Sequence, residues 1–208
     1  MNLNVVINKH SSICINNDIY IDPYGITKPT KNAKAIFITH SHYDHLDMES
    51  IKNIASSDTI IIAPADAIGM LQEEGYEDAS LKTVVPNESG EAYDVSYETF
   101  ASYNLNKKFH PKQNGWVGYN LNIGGIKFAI CGDSDNTPEL RAIKTDILLV
   151  PVGGTYTMDA AEAAALTNTI KPRLAIPTHY GSIVGDKQDG ETFASLVLPE
   201  IKVVELIK

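Results

Sequence analysis

The stretch His40-Ser41-His42-Tyr43-Asp44-His45 decides how this chain is read. Three imidazoles fall within six residues, with a carboxylate just before the last of them. Imidazoles this close repel one another when protonated and have no good structural use without a cation. His40 and His42 stand two apart in extended chain, so they project to the same side. Asp44 and His45 follow where the chain begins to turn into a helix, and they can reach a second centre. The apolar run Ala35-Ile36-Phe37-Ile38 just upstream reads as a buried strand. The cluster therefore sits at a strand end, where a rigid element can hold a few exposed ligands.

Further along the chain, His110, Asp133 and His179 each fall where a strand or loop ends. Each alone has an ordinary reading. His110 or His179 would be a hydrogen-bonded structural histidine, and Asp133, after Cys131-Gly132, a turn residue. Together with the cluster they make seven candidate donors. A single catalytic zinc takes three protein ligands and keeps one position for water. Seven donors suit two ions about 3.5–4 Å apart that share one carboxylate. Imidazole and carboxylate accept zinc, manganese, iron or nickel. The expected cofactor is a pair of divalent ions, zinc first among them. His10 has no partner in this pattern and is read as structural.

The rest of the chain supplies the frame. Strands are expected at 4–7, 12–15, 19–21, 35–38 and 59–63, with helices over 46–55 and 64–74. Strands at 82–85 and 92–101 flank a turn at Pro86–Gly90, and Gly124-Gly125 joins strands 116–123 and 126–130 as a hairpin. Strands 146–150 and 173–176 bracket an Ala-rich helix capped by Asp159 and stopped by Pro172. A helix over 191–198 and a strand over 202–207 close the chain. Paired strands with interleaved helices predict two packed sheets with helices outside. No repeat or linker divides the sequence, so residues 1–208 are expected to form a single domain.

Composition narrows the function. Hydrophobic residues make up 43% and charged residues 21%, as in ordinary globular proteins. No window holds the roughly 18 apolar residues of a membrane span, and Met1–Lys9 lacks the form of a signal peptide. A cytoplasmic protein without a membrane partner is expected. The two cysteines, Cys14 and Cys131, form no metal-binding pair. Net charge is −9, and the basic residues are scattered, so nucleic acid is not an expected partner. Two divalent ions would still make the site locally positive toward a small anionic substrate.

His40-x-His42-x-Asp44-His45, followed in order by His110, Asp133 and His179, resembles the metallo-β-lactamase superfamily. Asp22, in Ile21-Asp22-Pro23, resembles that superfamily's early aspartate, which supports the ligands from behind. The phrases around His110, Pro151–Met158 and His179-Tyr180-Gly181 resemble a branch of small, stand-alone Zn-dependent hydrolases. That branch is similar to the ascorbate-6-phosphate lactonase and N-acyl-phosphatidylethanolamine phospholipase D group. The resemblance implies an α+β fold, an αββα sandwich of two mixed sheets packed face to face. It implies that His40, His42 and His110 bind one ion, that Asp44, His45 and His179 bind the other, and that Asp133 bridges. Asp44 would also be catalytic, orienting water and passing a proton to the leaving group. The function implied is hydrolysis of a lactone, thioester or phosphodiester in a small metabolite. A nuclease and a non-catalytic metal-binding module are the alternatives. Tyr180 is a candidate substrate-binding residue, with packing as its other reading. Residues 153–157 form either a wall of the site or a tight turn. Trp116 reads as core, and Lys107, Lys108 and Lys112 as solvated surface.

Overall fold

The computed structural model describes residues 4–207, and their contacts gather into two compact units, 1–85 and 86–208. The first unit is built on a six-stranded mixed sheet. Its strands are β1 (Val5–Lys9), β2 (Ser12–Ile15), β3 (Ile19–Ile21), β4 (Ala33–Phe37), β5 (Ala55–Ala63) and β6 (Leu81–Thr83), lying side by side in chain order. β1 to β3 pair antiparallel through tight turns, and β3 to β6 pair parallel. Parallel neighbours need crossovers. Helices α1 (Met48–Ile54) and α2 (Ala65–Glu73) supply two of these. Ile51 and Ile54 of α1 and Ala67, Ile68 and Leu71 of α2 pack with Ile36, Ile38 and Ile61. Such continuous apolar runs belong to strands buried on both faces.

Helix α1 starts at Met48 rather than Leu46, because Asp47 is its N-cap. The Asp47 carboxylate accepts from Glu49 N at 3.1 Å and from Ser50 Oγ at 2.6 Å. The loop after His45 is therefore longer than its apolar spacing predicts, and it leaves the cluster outside the helix.

The second unit holds a seven-stranded mixed sheet, again in chain order. β7 (Ser89–Ala92), β8 (Val95–Ala101), β9 (Val117–Ile123) and β10 (Ile126–Ile130) are antiparallel. β11 (Ile147–Pro151), β12 (Leu174–Thr178) and β13 (Lys202–Val203) continue in parallel. The Gly124-Gly125 hairpin forms as the sequence predicts. The expected strand 92–101 does not run unbroken. Tyr93 takes a left-handed φ of 54°, and the chain folds back there into the β7–β8 hairpin. Helices α3 (Pro138–Arg141), α4 (Ala160–Ile170) and α5 (Asp189–Leu196) enclose a core of Leu148, Val150, Ala163, Leu166, Ala175 and Phe193. The α4 cap is a full capping box. Glu162 N donates to Asp159 Oδ1 at 2.8 Å, and Asp159 N donates to Glu162 Oε2 at 3.1 Å. No helix among the described residues is long and apolar enough to cross a membrane.

Both cysteines are free and buried. Burial pushes both thiols above their ordinary range, Cys131 furthest. The thiolate is the reactive form. Native protein at pH 8 should therefore leave both thiols unreacted toward Ellman's reagent, and denatured protein should titrate two. Prompt reaction in the native state would contradict this packing.

Candidate metal centre

In the first unit a buried carboxylate organises the donors. Asp22 follows β3 and is held at φ 46°. Its backbone N donates to Phe37 O at 3.0 Å. Its Oδ1 accepts from Thr39 N at 2.7 Å. Its Oδ2 accepts from Thr39 Oγ1 at 2.7 Å and from His45 Nδ1 at 2.8 Å. Thr39 Oγ1 also lies 2.9 Å from His40 Nδ1.

With Asp22 ionised, these hydrogen bonds assign the tautomers. An ionised carboxylate only accepts, so both Thr39 O–H and His45 Nδ1–H must donate to it. The one hydroxyl proton is then spent, and Thr39 Oγ1 accepts from His40 Nδ1–H. His40 and His45 consequently both present Nε2 as a lone pair, the state a metal requires. The His40 and His42 rings stand 4.7 Å apart, consistent with their projection to one side. The turn that presents them is closed by His45 N and Leu46 N, which donate to His42 O at 2.9 and 2.8 Å.

His10 was not expected here. It occupies the turn between β1 and β2 at φ 57°, after a bulge in their pairing. Its Nε2 lies 3.3 Å from Asp44 Oδ2. The ligand atoms of His10, Asp44 and His45 all fall within 4.8 Å of one another, as do those of His40 and His42. Nothing beside His10 in sequence signals this, because the meeting depends on a turn between strands far from the cluster.

In the second unit two imidazoles converge on one oxygen. Asp133 Oδ2 lies 3.4 Å from His110 Nε2 and 3.2 Å from His179 Nε2. Asp133 leaves β10 through Gly132, at φ 60°, and His179 leaves β12 at φ 59°. His110, at φ 60°, rests edge-on against Trp116 with centroids 5.1 Å apart. Asn104 ties its loop down: Asn104 N donates to His110 O at 2.8 Å, and Nδ2 donates to Tyr156 O at 2.6 Å. His40, Asp44, His45, His110, Asp133 and His179 are all buried, and His42 is half-buried. Buried carboxylates and imidazoles in such density need compensating charge. Their donor atoms are those that hold zinc or a similar divalent ion, so the residues present fit a metal.

Other candidates sort by contact. The Tyr180 ring is 1% exposed and belongs to the core cluster of Phe193 and Val152, as its packing reading expects. Burial first, and then the charges of Glu205 and Asp189, push its phenol up to about 12. Gly153 is a close-approach glycine, since a Cβ there would lie 2.1 Å from His179 O. Gly154 and Thr155, at φ 67° and 39°, make the tight turn that precedes α4. Lys107 is paired with Asp135 and Lys112 with Glu139, so neither awaits an anion.

Comparison with known proteins agrees with this chemistry. Residues 8–179 match the model of the beta-lactamase superfamily domain. A UPF0173 protein from Pyrococcus abyssi is 32% identical over 177 residues, 83% of this chain and 79% of its own. A UPF0173 metal-dependent hydrolase from Thermoplasma acidophilum is 27% identical, with 97% of each chain covered. A crystal structure of a candidate metal-dependent hydrolase from Parabacteroides distasonis is similar at TM-score 0.82 and 29% identity, over 99% of this chain and 94% of that one. Two mixed sheets with helices are thus arranged in the metallo-β-lactamase fold.

Two substitutions test the supports of the donors. Asn at position 22 offers one acceptor oxygen and a donor amide, so Asp22→Asn breaks the tautomer relay. Zinc affinity, measured by competition with a chromophoric chelator, should fall about 10–100-fold; wild-type affinity would refute the relay. Gly153→Ala forces its methyl against His179 O and should cost about 1–3 kcal/mol in urea unfolding. An unchanged midpoint would show that the strand end yields freely.

Proposed function

Because the chain belongs to the beta-lactamase superfamily, and within it to the UPF0173 family of metal-dependent hydrolases, we propose that it uses two divalent ions to cleave an ester-like bond in a small anionic metabolite. The bond is a lactone, thioester or phosphodiester, in keeping with the resemblance to the lactonase and phospholipase D group. The superfamily pattern assigns His40, His42 and His110 to one ion, Asp44, His45 and His179 to the other, and Asp133 to both. When bound, such a pair supplies a water of lowered pKa and neutralises the oxyanion that develops on attack.

The chain's own residues do the remainder. Asp22 and Thr39 hold His40 and His45 with Nε2 available. The Asp44 carboxylate takes the proton of the attacking water and returns it to the leaving oxygen or sulfur. The observation that carries the reading is the Asp22 relay, which leaves two buried imidazoles as lone-pair donors beside a carboxylate. The acidic chain, with net charge −9, supports a small substrate over a nucleic acid, and the cytoplasm is its proposed compartment.

Zinc- or manganese-loaded protein should hydrolyse bis(p-nitrophenyl) phosphate or a thioester or lactone from a panel, and EDTA should abolish turnover. Asp44→Asn should lower kcat about 10²–10⁴-fold, the usual worth of a positioned acid–base group. Fully metallated protein that is inert across all three bond classes would sink the proposal.

A further inference from the structure

We propose that His10 is itself a metal ligand, joining Asp44 and His45 in a donor group inside residues 1–85. The inference rests on the metal-dependent reading above and adds a residue that the superfamily pattern does not supply.

Spacing is the first argument. Ligand atoms 2.0–2.2 Å from a zinc at tetrahedral angles stand about 3.3–3.6 Å apart. A nitrogen donating to a carboxylate within a hydrogen bond stands closer, at about 2.7–2.9 Å. His10 Nε2 and Asp44 Oδ2 are 3.3 Å apart, within the range for two ligands of one ion. His45 Nε2 lies 4.0 Å from the same Oδ2, a few tenths of an ångström beyond that range, and Asp22 orients its ring.

The second argument is placement. The His10 side chain is fully buried, while Asp44 keeps an edge to solvent at 12%. His10 also holds a left-handed backbone that disfavours most side chains, in a turn whose bulge shifts the β1–β2 register. Residues kept in such conformations cluster at ligand clamps and active sites. A purely packing role at this turn has no need of an imidazole whose Nε2 is aimed at a carboxylate.

The test uses the full-length chain, labelled with ¹⁵N-histidine and titrated with zinc alone. His10→Asn is the companion variant, because asparagine tolerates the left-handed turn but cannot reach as far. Its circular dichroism and urea midpoint check that it folds. In the wild type, the His10 Nε2 resonance, identified by its loss in the variant, should move to the metal-bound region. Elemental analysis after dialysis should show the variant holding one zinc fewer per chain, with that site weakened by more than about 100-fold. An Nε2 resonance that stays put while zinc binds elsewhere overturns the assignment and leaves the function intact. A weakening below about 100-fold, the range of groups that touch only a ligand, also overturns it. Wild-type protein that takes up no zinc overturns both readings.

Discussion

The Asp22 carboxylate is the constraint on which the donor geometry of the first unit depends. Its two oxygens accept three hydrogen bonds, from Thr39 N, Thr39 Oγ1 and His45 Nδ1. One buried group thereby ties the end of β3 to the exit of β4 and orients a side chain on the loop beyond. Burying a charge is costly unless it is fully hydrogen-bonded. Here those bonds also set which nitrogen of His40 and His45 faces outward. Stability and ligand chemistry are met by the same contacts, so neither can change alone.

A second constraint recurs at the site's residues. His10, Asp22, His110 and His179 all have φ between 46° and 60°. A residue held in a sparsely populated region costs of order 1–3 kcal/mol, although histidine and aspartate visit the left-handed region more readily than most. The conformation reverses the chain just past a strand or turn and aims the side chain back. It persists because neighbouring backbone is over-determined: Asn104 anchors the His110 loop, and Gly153 leaves room for the carbonyl of His179. In parallel strands such side chains gather at the carboxyl ends, where open α/β sheets place their ligands.

What was legible in the sequence follows from the range of each interaction. The His40–His45 motif, the Gly124-Gly125 hairpin and the Asp159 cap are local, and each appears where its spacing puts it. The β7–β8 turn was hidden because Ala92-Tyr93-Asp94 lacks a glycine, and Tyr93 adopts the left-handed angle instead. Helix α3 was missed because one turn, capped by Thr137, carries no periodicity. The approach of His10 to Asp44 is hidden for a deeper reason. It depends on a bulged turn between β1 and β2, and tertiary placement of that kind leaves no trace in a window of neighbouring residues. Tyr180 neighbours a donor in sequence, and its buried ring is placed by the chain that follows that donor. The chain turns at His179, at φ 59°, just past β12, and the Tyr180 ring joins the core that α4 and α5 enclose.

The electrostatics then bear on what the site can attract. The lysines flanking His110 are the nearest basic residues in sequence, and two of them are committed. Lys107 faces Asp135 and Glu162, and Lys112 faces Glu139. A chain of net charge −9 with those cations neutralised has little long-range field to draw in an anion. On the proposed function, attraction comes from the ions that the donors would hold, and it acts at short range because salt screens exposed charge beyond about 8–10 Å. The substrate we propose is accordingly compact, with an anionic group that reaches the donors directly, whereas a long polyanion spread over a chain of net charge −9 would be repelled along most of its length.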